Sequence, residues 1–271
     1  MSSRKPSIQT YRQIIGLHDW FATPPGCYLL QWERAQLDLA VADIFGYHAL
    51  QLGLSELDAL RANRMPHRWL ANATPAPGAA IVTDFSALPF PASSLDLVVL
   101  PHSLELASDP HATLREVERV LVPEGRVVIC GLNPVSLWGF RQKRTRLYRR
   151  LGFGRKFMPQ EECIGYWRLR DWLRLLGFEV EVGQFGCYRP ALAGETWLRR
   201  FAWMDWIGKR WWPIFGAVYF LVAVKRVRGV TLLSPAWKPS RSVAAAQVSV
   251  AGSASLNRSE TIADATMGKT D

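Results

Sequence analysis

The sequence predicts an α/β fold in which helices cover both faces of a mostly parallel sheet. Three observations within residues 79–131 support this prediction. The runs 80–83 and 95–100 are short and aliphatic, with β-branched members, which is typical of buried parallel strands. Residues 110–121 then show apolar side chains at helical spacing, and residues 126–131 form a third apolar run. This alternation of strands and helix is half of a doubly wound sheet.

The N-terminal part, residues 1–45, is predicted to be a helical segment that packs on the site or forms a lid over it. Residues 18–26 contain two prolines and a glycine, which indicate a loop. Residues 29–44 have helical composition, and their aliphatic side chains can share one buried stripe. Those side chains are Leu29, Leu30, Leu37 and Val41.

The main domain is predicted to span residues 46–229. Its first half contains a strand at 47–52, a turn at Gly53, a helix at 55–63 and a short second strand at 67–70. The third strand, 80–83, is followed by Leu88-Pro89-Phe90-Pro91, whose prolines cannot donate to a central ladder and therefore indicate a surface connection. Asp109 and Pro110 are a typical N-cap and first-turn residue of the next helix, and Pro123-Glu124-Gly125 ends it.

The second half of the domain continues with a helix at 166–176, which Gly177 ends, and strands at 178–182 and 217–226. Two insertions rich in basic and aromatic residues interrupt this half, at about 133–165 and 190–215. Residues 230–271 are rich in Ala, Ser, Thr and Gly and are predicted to be a disordered tail.

Composition restricts the class of protein. About half of the 271 residues are apolar, so a sizeable core can form, and a net charge of +10 favours anionic partners. The four cysteines show no C-x-x-C or metal-ligand spacing, so reduced thiols and no metal site are expected. The N-terminus lacks the apolar core of a secretory signal, and the run 217–224 is too short to span a bilayer. These features predict a cytoplasmic protein.

A set of motifs in residues 79–131 resembles a known family. The motifs are Asp84, Leu88-Pro89-Phe90, Leu95-Asp96-Leu97-Val98-Val99, Asp109-Pro110, Leu114-Arg115-Glu116, Arg119-Val120-Leu121 and Pro123-Glu124-Gly125-Arg126. Together they resemble the type-11 branch of class I S-adenosylmethionine-dependent methyltransferases. The resemblance extends more loosely to Arg226, and the whole chain is similar to a group of uncharacterised proteobacterial proteins of this type. It implies a Rossmann-like fold with a seven-stranded sheet, and methyl transfer from S-adenosylmethionine to an unidentified acceptor.

The resemblance also implies positions for the cofactor. Asp84 would accept from the adenine amino group, and Phe85 and Leu88 would pack against the ring. Pro101, His102 and Ser103 follow the fourth strand and would line the sulfonium and substrate side, where ligands of open α/β sheets bind.

Several of these residues also have structural interpretations. Asp84 could instead hold a turn. His102 is the candidate general base or substrate contact, or else a loop histidine with its hydrogen bonds satisfied. Glu105 is predicted to be solvated or packed rather than catalytic, and Asp96 to make a polar contact at a strand edge.

The sequence departs from the family pattern after the first strand. The family has an acid followed by Gly-x-Gly-x-Gly, whereas this chain has Gln51-Leu52-Gly53-Leu54-Ser55-Glu56, so that Gly53 alone remains. No acid lies between Asp58 and Asp84 to bind the ribose, and Asn72 is the candidate replacement. The alternative function is therefore a non-catalytic protein of the same fold that acts as a peripheral membrane-surface or interaction module.

The two basic and aromatic insertions are the second functional signal. Arg141 to Lys156 and Trp197 to Trp212 combine cationic side chains with aromatic rings. This composition favours an anionic membrane surface, which would place the protein at the inner face of the membrane. RNA is the less favoured partner because no RNA-binding motif is present. A structural interpretation stays open, in which the tryptophans pack on the sheet and the charges are solvated.

Overall fold

The computed structural model describes residues 19–150, 163–190, 192 and 194–227, with the backbone alone for residues 146–150. The described strands form one sheet with the order β3-β2-β1-β4-β5-β7-β6. They are β1 His48–Leu52, β2 His67–Asn72, β3 Ile81–Val82, β4 Leu95–Pro101, β5 Leu121–Leu132, β6 Phe178–Gly186 and β7 Val218–Lys225. All neighbouring pairs are parallel except those that involve β7, which is antiparallel to both β5 and β6. The predicted seven-stranded, mostly parallel sheet is confirmed.

Helices cover both faces of this sheet. In the described part of the chain they are α1 Pro24–Ala42, α2 Ser103–Leu106, α3 Pro110–Val120, α4 Leu137–Arg150, α5 Tyr166–Leu175, α6 Glu195–Arg200 and α7 Trp203–Trp211, followed by a 3₁₀ helix at Pro213–Phe215. The apolar side of α1 belongs to one core cluster together with Trp138 and Cys187, and those of α3 and α5 belong to a second cluster. The sheet lies between the two clusters, so α1 and α5 cover opposite faces.

Helix α1 begins earlier than its composition predicted. Residues 24–26 were expected in a loop, but Thr23 is the N-cap, its hydroxyl accepts from the Gly26 N–H at 3.4 Å, and two prolines occupy the first turn. Proline is tolerated there because the first N–H groups of a helix have no intrahelical partner. The predicted stripe is confirmed, since Leu29, Leu30, Leu37 and Val41 are all buried.

The predicted helix at 55–63 is wrong, because this segment consists of turns. The buried Gln51 side chain organises them: its Nε2 donates to the carbonyl oxygens of Gly53, Leu54 and Leu57 at 3.1, 2.9 and 2.7 Å. Its Oε1 accepts from the Ala59 N–H at 2.9 Å. Backbone groups that a helix would pair with each other are therefore bound to a side chain, which competes with helix formation.

Strand β3 is shorter and more exposed than predicted. It contains two residues at the edge of the sheet, and Val82 is 55% exposed, so the prediction of a buried strand is wrong there.

Two predictions about single residues are confirmed. Asp96 makes a polar contact in which its Oδ2 accepts from the Tyr47 and His48 N–H groups at 2.8 and 2.9 Å, which fixes the start of β1. Gly177 follows α5 with a φ of +82°, as expected for a residue that ends a helix.

Candidate functional site

The carboxyl ends of β1, β2 and β3 meet at one edge of the sheet. There the Gly53 N–H donates to the Ala71 carbonyl at 2.7 Å, and the Thr83 N–H donates to the Asn72 carbonyl at 3.0 Å. Three predicted cofactor residues therefore lie along this edge: Asn72 ends β2, while Gly53 and Asp84 follow β1 and β3. In open α/β sheets, ligands bind in the crevice outside this edge.

Gly53 lies at the centre of this edge and has no room for a bulky side chain. Its φ is +74°, in the left-handed region that favours glycine. A Cβ atom at this position would lie 3.3 Å from the Ser103 Oγ and 3.6 Å from the Phe85 ring. The Ser103 hydroxyl donates to the Leu52 carbonyl and so links the end of β4 to the end of β1. Phe85 and Ser103 therefore border the space that a side chain at position 53 would enter.

Asp84 and Asn72 present polar groups next to this contact. Asp84 is exposed, and its Oδ1 accepts from the Ser86 N–H at 3.0 Å, which is also the turn-holding contact predicted for it. Asn72 is 7% exposed, and its Oδ1 accepts from the Ala73 N–H at 2.9 Å. A carboxylate has a second oxygen and an amide has two N–H donors, so both side chains retain the chemistry to bind an amine or a hydroxyl group.

The loop that carries Phe85 and Leu88 is held by an ion pair on α3. Glu116 Oε2 accepts from the Leu88 N–H at 3.0 Å, and Arg119 donates to the carbonyl oxygens of Leu88 and Phe90 at 3.1 and 3.0 Å. The two side chains pair with each other at 2.8 Å, and this hydrogen bond lowers the pKa of Glu116. Both residues were part of the recognised motif, but the sequence did not assign them to the site.

His102 is located at the carboxyl end of β4, directly after Pro101, in a buried ionic cluster. Its Nε2 lies 2.8 Å from Glu33 Oε1, and its Nδ1 lies 3.0 Å from Glu105 Oε2. Glu105 Oε1 also accepts from the Leu132 N–H at 2.6 Å. The three side chains are at most 1% exposed. We refer to Glu33, His102 and Glu105 as the ionic cluster; it joins α1 to the ends of β4 and β5.

The ionic cluster is held by an imidazolium between two carboxyl groups. Burial by itself would lower the pKa of His102, but the charge of Glu33 and the hydrogen bonds to both carboxyl groups outweigh it and raise the pKa to about 10. Burial raises the pKa of Glu105, against the opposing effect of its hydrogen bond to His102. Within the described residues, Glu33 Oε2 has no hydrogen-bond partner.

This geometry favours His102 as a positioning residue. A histidine that stays protonated at neutral pH and uses both ring nitrogens is poorly suited to accept a proton from a substrate. Its role as general base stays a prediction. Glu105 is packed rather than solvated, and the sequence analysis missed Glu33. One signal was available, because Glu33 is the charged residue within the apolar stripe of α1.

The raised pKa of His102 predicts that the protein loses stability as the pH rises. Because the folded state holds a proton that the unfolded state releases near pH 6.5, stabilisation is complete below that pH and is lost between pH 6.5 and about 10. From pH 6.5 to 8.5 we expect the free energy of unfolding to fall by about 2 kcal/mol. Urea denaturation at a series of pH values measures this decline. Glu105 acts in the same direction, while Cys130 and Tyr219 add to it only at higher pH. A flat profile between pH 6.5 and 8.5 would contradict the assignment.

Residues 51–129 match the family model described as a methyltransferase domain. The chain is 34% identical over 163 residues to the protein YafS of Escherichia coli (strain K12), covering 59% of this chain and 65% of YafS. It is also 34% identical over 94 residues to malonyl-[acyl-carrier protein] O-methyltransferase of Halorhodospira halophila, covering 35% of this chain and 29% of that enzyme. Over residues 51–129, the chain is therefore similar to methyltransferase domains. The resemblance to the type-11 branch of class I methyltransferases is thereby confirmed.

Solved structures show the same fold. A SAM-dependent methyltransferase from Thermotoga maritima superposes with a TM-score of 0.51 at 13% identity, over 81% of this chain and all of that chain. A chain from the Haloferax volcanii complex with the Trm112 methyltransferase activator gives a TM-score of 0.50 at 18% identity, over 79% of this chain and 98% of that chain. At this level of identity, the structural similarity establishes the Rossmann-like methyltransferase fold of the domain.

Proposed function

We propose that the chain binds S-adenosylmethionine at the carboxyl edge of β1, β2, β3 and β4 and transfers its methyl group to an acceptor. The observation that carries the proposal is the alignment of Gly53, Asn72 and Asp84 along one edge of a methyltransferase domain. This edge has a glycine at its centre, where a side chain would meet Ser103 and Phe85.

The residues at this edge suit the parts of such a cofactor. Asp84 would accept from the adenine amino group, Phe85 and Leu88 would provide the apolar contact of the ring, and Asn72 would donate to the ribose. Pro101 would lie on the sulfonium side. The bound cofactor supplies an electrophilic methyl group. The protein then needs mainly to align the acceptor with that group, and the ionic cluster would contribute by fixing α1 over the ends of β4 and β5.

A second proposal, a non-catalytic protein of the same fold, is favoured by the turn after β1. The Gly53 N–H and carbonyl are both used within the protein, by Ala71 and by Gln51. The helix predicted at 55–63, whose N-terminus would have faced a bound ligand, is replaced by turns. Fewer backbone donors are therefore offered to a cofactor at this position than in a glycine-rich loop that leads into a helix. Cofactor binding separates the two proposals.

Calorimetric titration with S-adenosylmethionine and with S-adenosylhomocysteine tests the cofactor site. We expect both ligands to bind, and Asp84→Ala to weaken binding by about 10- to 100-fold, because a hydrogen bond to a charged group contributes about 1.5–3 kcal/mol. Asp171→Ala, which removes an exposed acid on α5, is the matched control and should bind like the wild type. Binding that is undetectable at millimolar ligand would support the non-catalytic protein. Binding that Asp84→Ala leaves unchanged would remove Asp84 from the site.

A further inference from the structure

Five tryptophans between residues 197 and 212 are exposed in the structure. They are Trp197, Trp203, Trp206, Trp211 and Trp212, and between 51% and 76% of each is exposed. We refer to them as the tryptophan face. Isolated exposed apolar residues are common, but several large rings on adjacent helices form a patch of the kind that marks an interaction site.

Contacts on the opposite side of α7 fix the outward direction of this face. Asp205 accepts from the Arg189 Nε at 2.8 Å and from the Tyr188 N–H at 3.2 Å, and it also pairs with the Tyr28 hydroxyl. Gly208 is buried, and a Cβ there would meet the Tyr188 ring at 2.3 Å. Trp203 and Trp206 lie on the other side of the helix. The polar and small residues of α7 therefore anchor it to the domain, while its aromatic residues point to solvent.

The tryptophan face is joined to the start of α4, the other basic and aromatic insertion. The Asn133 Nδ2 donates to the carbonyl oxygens of Ile214 and Gly216 at 2.7 and 2.9 Å, and the Trp138 Nε1 donates to the Arg189 carbonyl at 2.7 Å. Exposed aliphatic and aromatic side chains lie on both sides of this junction, and they are Val135, Leu137, Phe140, Ile214 and Phe215. The two insertions, which are far apart in sequence, thus form one surface on the same side of the domain.

The charge of this surface is positive. Residues 195–215 contain four basic residues and two acids, and one of the acids, Asp205, is already engaged by Arg189. Lys209 and Arg210 are exposed beside the tryptophan face, and the Arg200 guanidinium lies 5.7 Å from the centre of the Trp197 ring. On the other side, α4 adds Lys143 and Arg144, and the sequence has no acid between Glu124 and Glu161. Residues 151–156 of the predicted membrane segment lie outside the described residues.

We propose that this surface docks on an anionic lipid bilayer. Tryptophan rings settle at the headgroup level of a membrane, and neighbouring lysine and arginine side chains are attracted to anionic lipids. RNA would also meet the cations and the rings, but the exposed aliphatic side chains of Leu137 and Ile214 add nothing to base stacking, whereas they would be buried at the acyl boundary of a bilayer. The chemistry of the whole surface therefore fits lipid better than nucleic acid.

The surface adjoins the edge of the sheet that carries the proposed cofactor site. Asn133 follows the carboxyl end of β5, and the 3₁₀ helix at Pro213–Phe215 precedes the antiparallel strand β7, so both lie at the carboxyl edge. Docking would turn this edge toward the bilayer. No helix in the described ranges is long and apolar enough to cross a membrane, and the proposed contact is one with the membrane surface.

Flotation with lipid vesicles, in the absence of S-adenosylmethionine, tests the proposal separately from cofactor binding. We expect the protein to float with vesicles of phosphatidylcholine and phosphatidylglycerol at low salt, and to bind at least about 10-fold less to pure phosphatidylcholine or at high salt. Trp206→Ser/Trp211→Ser and Lys209→Glu/Arg210→Glu should each reduce binding by about 10-fold or more. Each variant should retain the wild-type circular dichroism spectrum, since the replaced side chains are exposed.

Matched controls on the opposite face of the sheet make the test specific. Trp167 on α5 is 60% exposed, and Arg174 is exposed on the same helix, so Trp167→Ser and Arg174→Glu remove comparable side chains elsewhere and should bind vesicles like the wild type. Protein that stays below the vesicles at low salt would overturn the proposal. So would equal loss of binding in the controls, or a tryptophan face that supports self-association or RNA binding but no vesicle binding.

Discussion

Replacing His102 by alanine is expected to lower the free energy of unfolding by about 3–5 kcal/mol. The imidazolium lies between Glu33 and Glu105, and all three side chains are almost completely buried. Its removal leaves two carboxyl groups in a site of low dielectric without a cation, and Glu33 Oε2 already has no hydrogen-bond partner among the described residues. Urea denaturation at pH 7 measures the change.

The position of His102 allows a matched control and a double-mutant test. His111→Ala removes an exposed histidine on α3 and should cost less than about 1 kcal/mol. Adding Glu33→Gln to His102→Ala should restore part of the lost stability, because it removes one of the two uncompensated carboxylates, whereas Glu33→Gln alone should destabilise the protein. A loss for His102→Ala that equals the loss for His111→Ala would contradict the ionic cluster. If His102→Ala does not fold, His102→Asn can replace it. The stability of His102→Asn is then compared with that of the double variant Glu33→Gln/His102→Asn.

The sequence predicted those parts of the fold in which local signals agree. Apart from Asp96 in β4 and Lys225 in β7, these two strands consist of aliphatic, aromatic and proline residues and are buried. The N-cap of α3 at Asp109 is confirmed by its contact with the Ala112 N–H at 2.9 Å. The errors arise where a tertiary contact decides the local structure. The segment 55–63 has helical composition, but the long reach of the Gln51 side chain holds it in turns. The exposure of β3 depends on its place at the sheet edge, which its own residues do not encode.

The candidate site was also predictable only where local sequence signals determine the structure. Gly53 and Asp84 come after the predicted first and third strands, whereas β2 extends two residues beyond its predicted end, to Asn72. The ionic cluster is different, since Glu33 and His102 are 69 residues apart and meet because α1 packs across the end of β4. The joining of the two insertions likewise depends on the long-range contacts of Asn133. Composition indicated the chemistry of both segments, but their union into one surface requires the structure.

Restoring the acid that the family pattern has at the end of the first strand is expected to destabilise this chain. In Gln51→Glu, an oxygen replaces the amide NH₂ that donates to three carbonyl groups. A buried carboxylate then faces the carbonyl oxygens of Gly53, Leu54 and Leu57. Loss of these donors and burial of a charge should lower the free energy of unfolding by about 3 kcal/mol or more at pH 7. Urea denaturation again measures the effect, and Gln184→Glu, at an exposed position on β6, is the control that should change stability little.

The pH dependence of this variant separates charge from shape. Burial should raise the pKa of the introduced carboxyl in the folded state. Its cost relative to wild type is therefore complete only above that raised pKa, and it shrinks as the pH falls toward the unfolded pKa of about 4.3, where the carboxyl is protonated and its hydroxyl can donate. A cost that is independent of pH would indicate a steric effect. An unchanged stability, with stronger binding of S-adenosylmethionine, would show that the turn after β1 can adopt the family arrangement. We expect instead a loss of stability without stronger binding. The Gln51 amide holds this turn through its carbonyl groups, in a conformation that differs from a glycine-rich loop whose N–H groups face a cofactor.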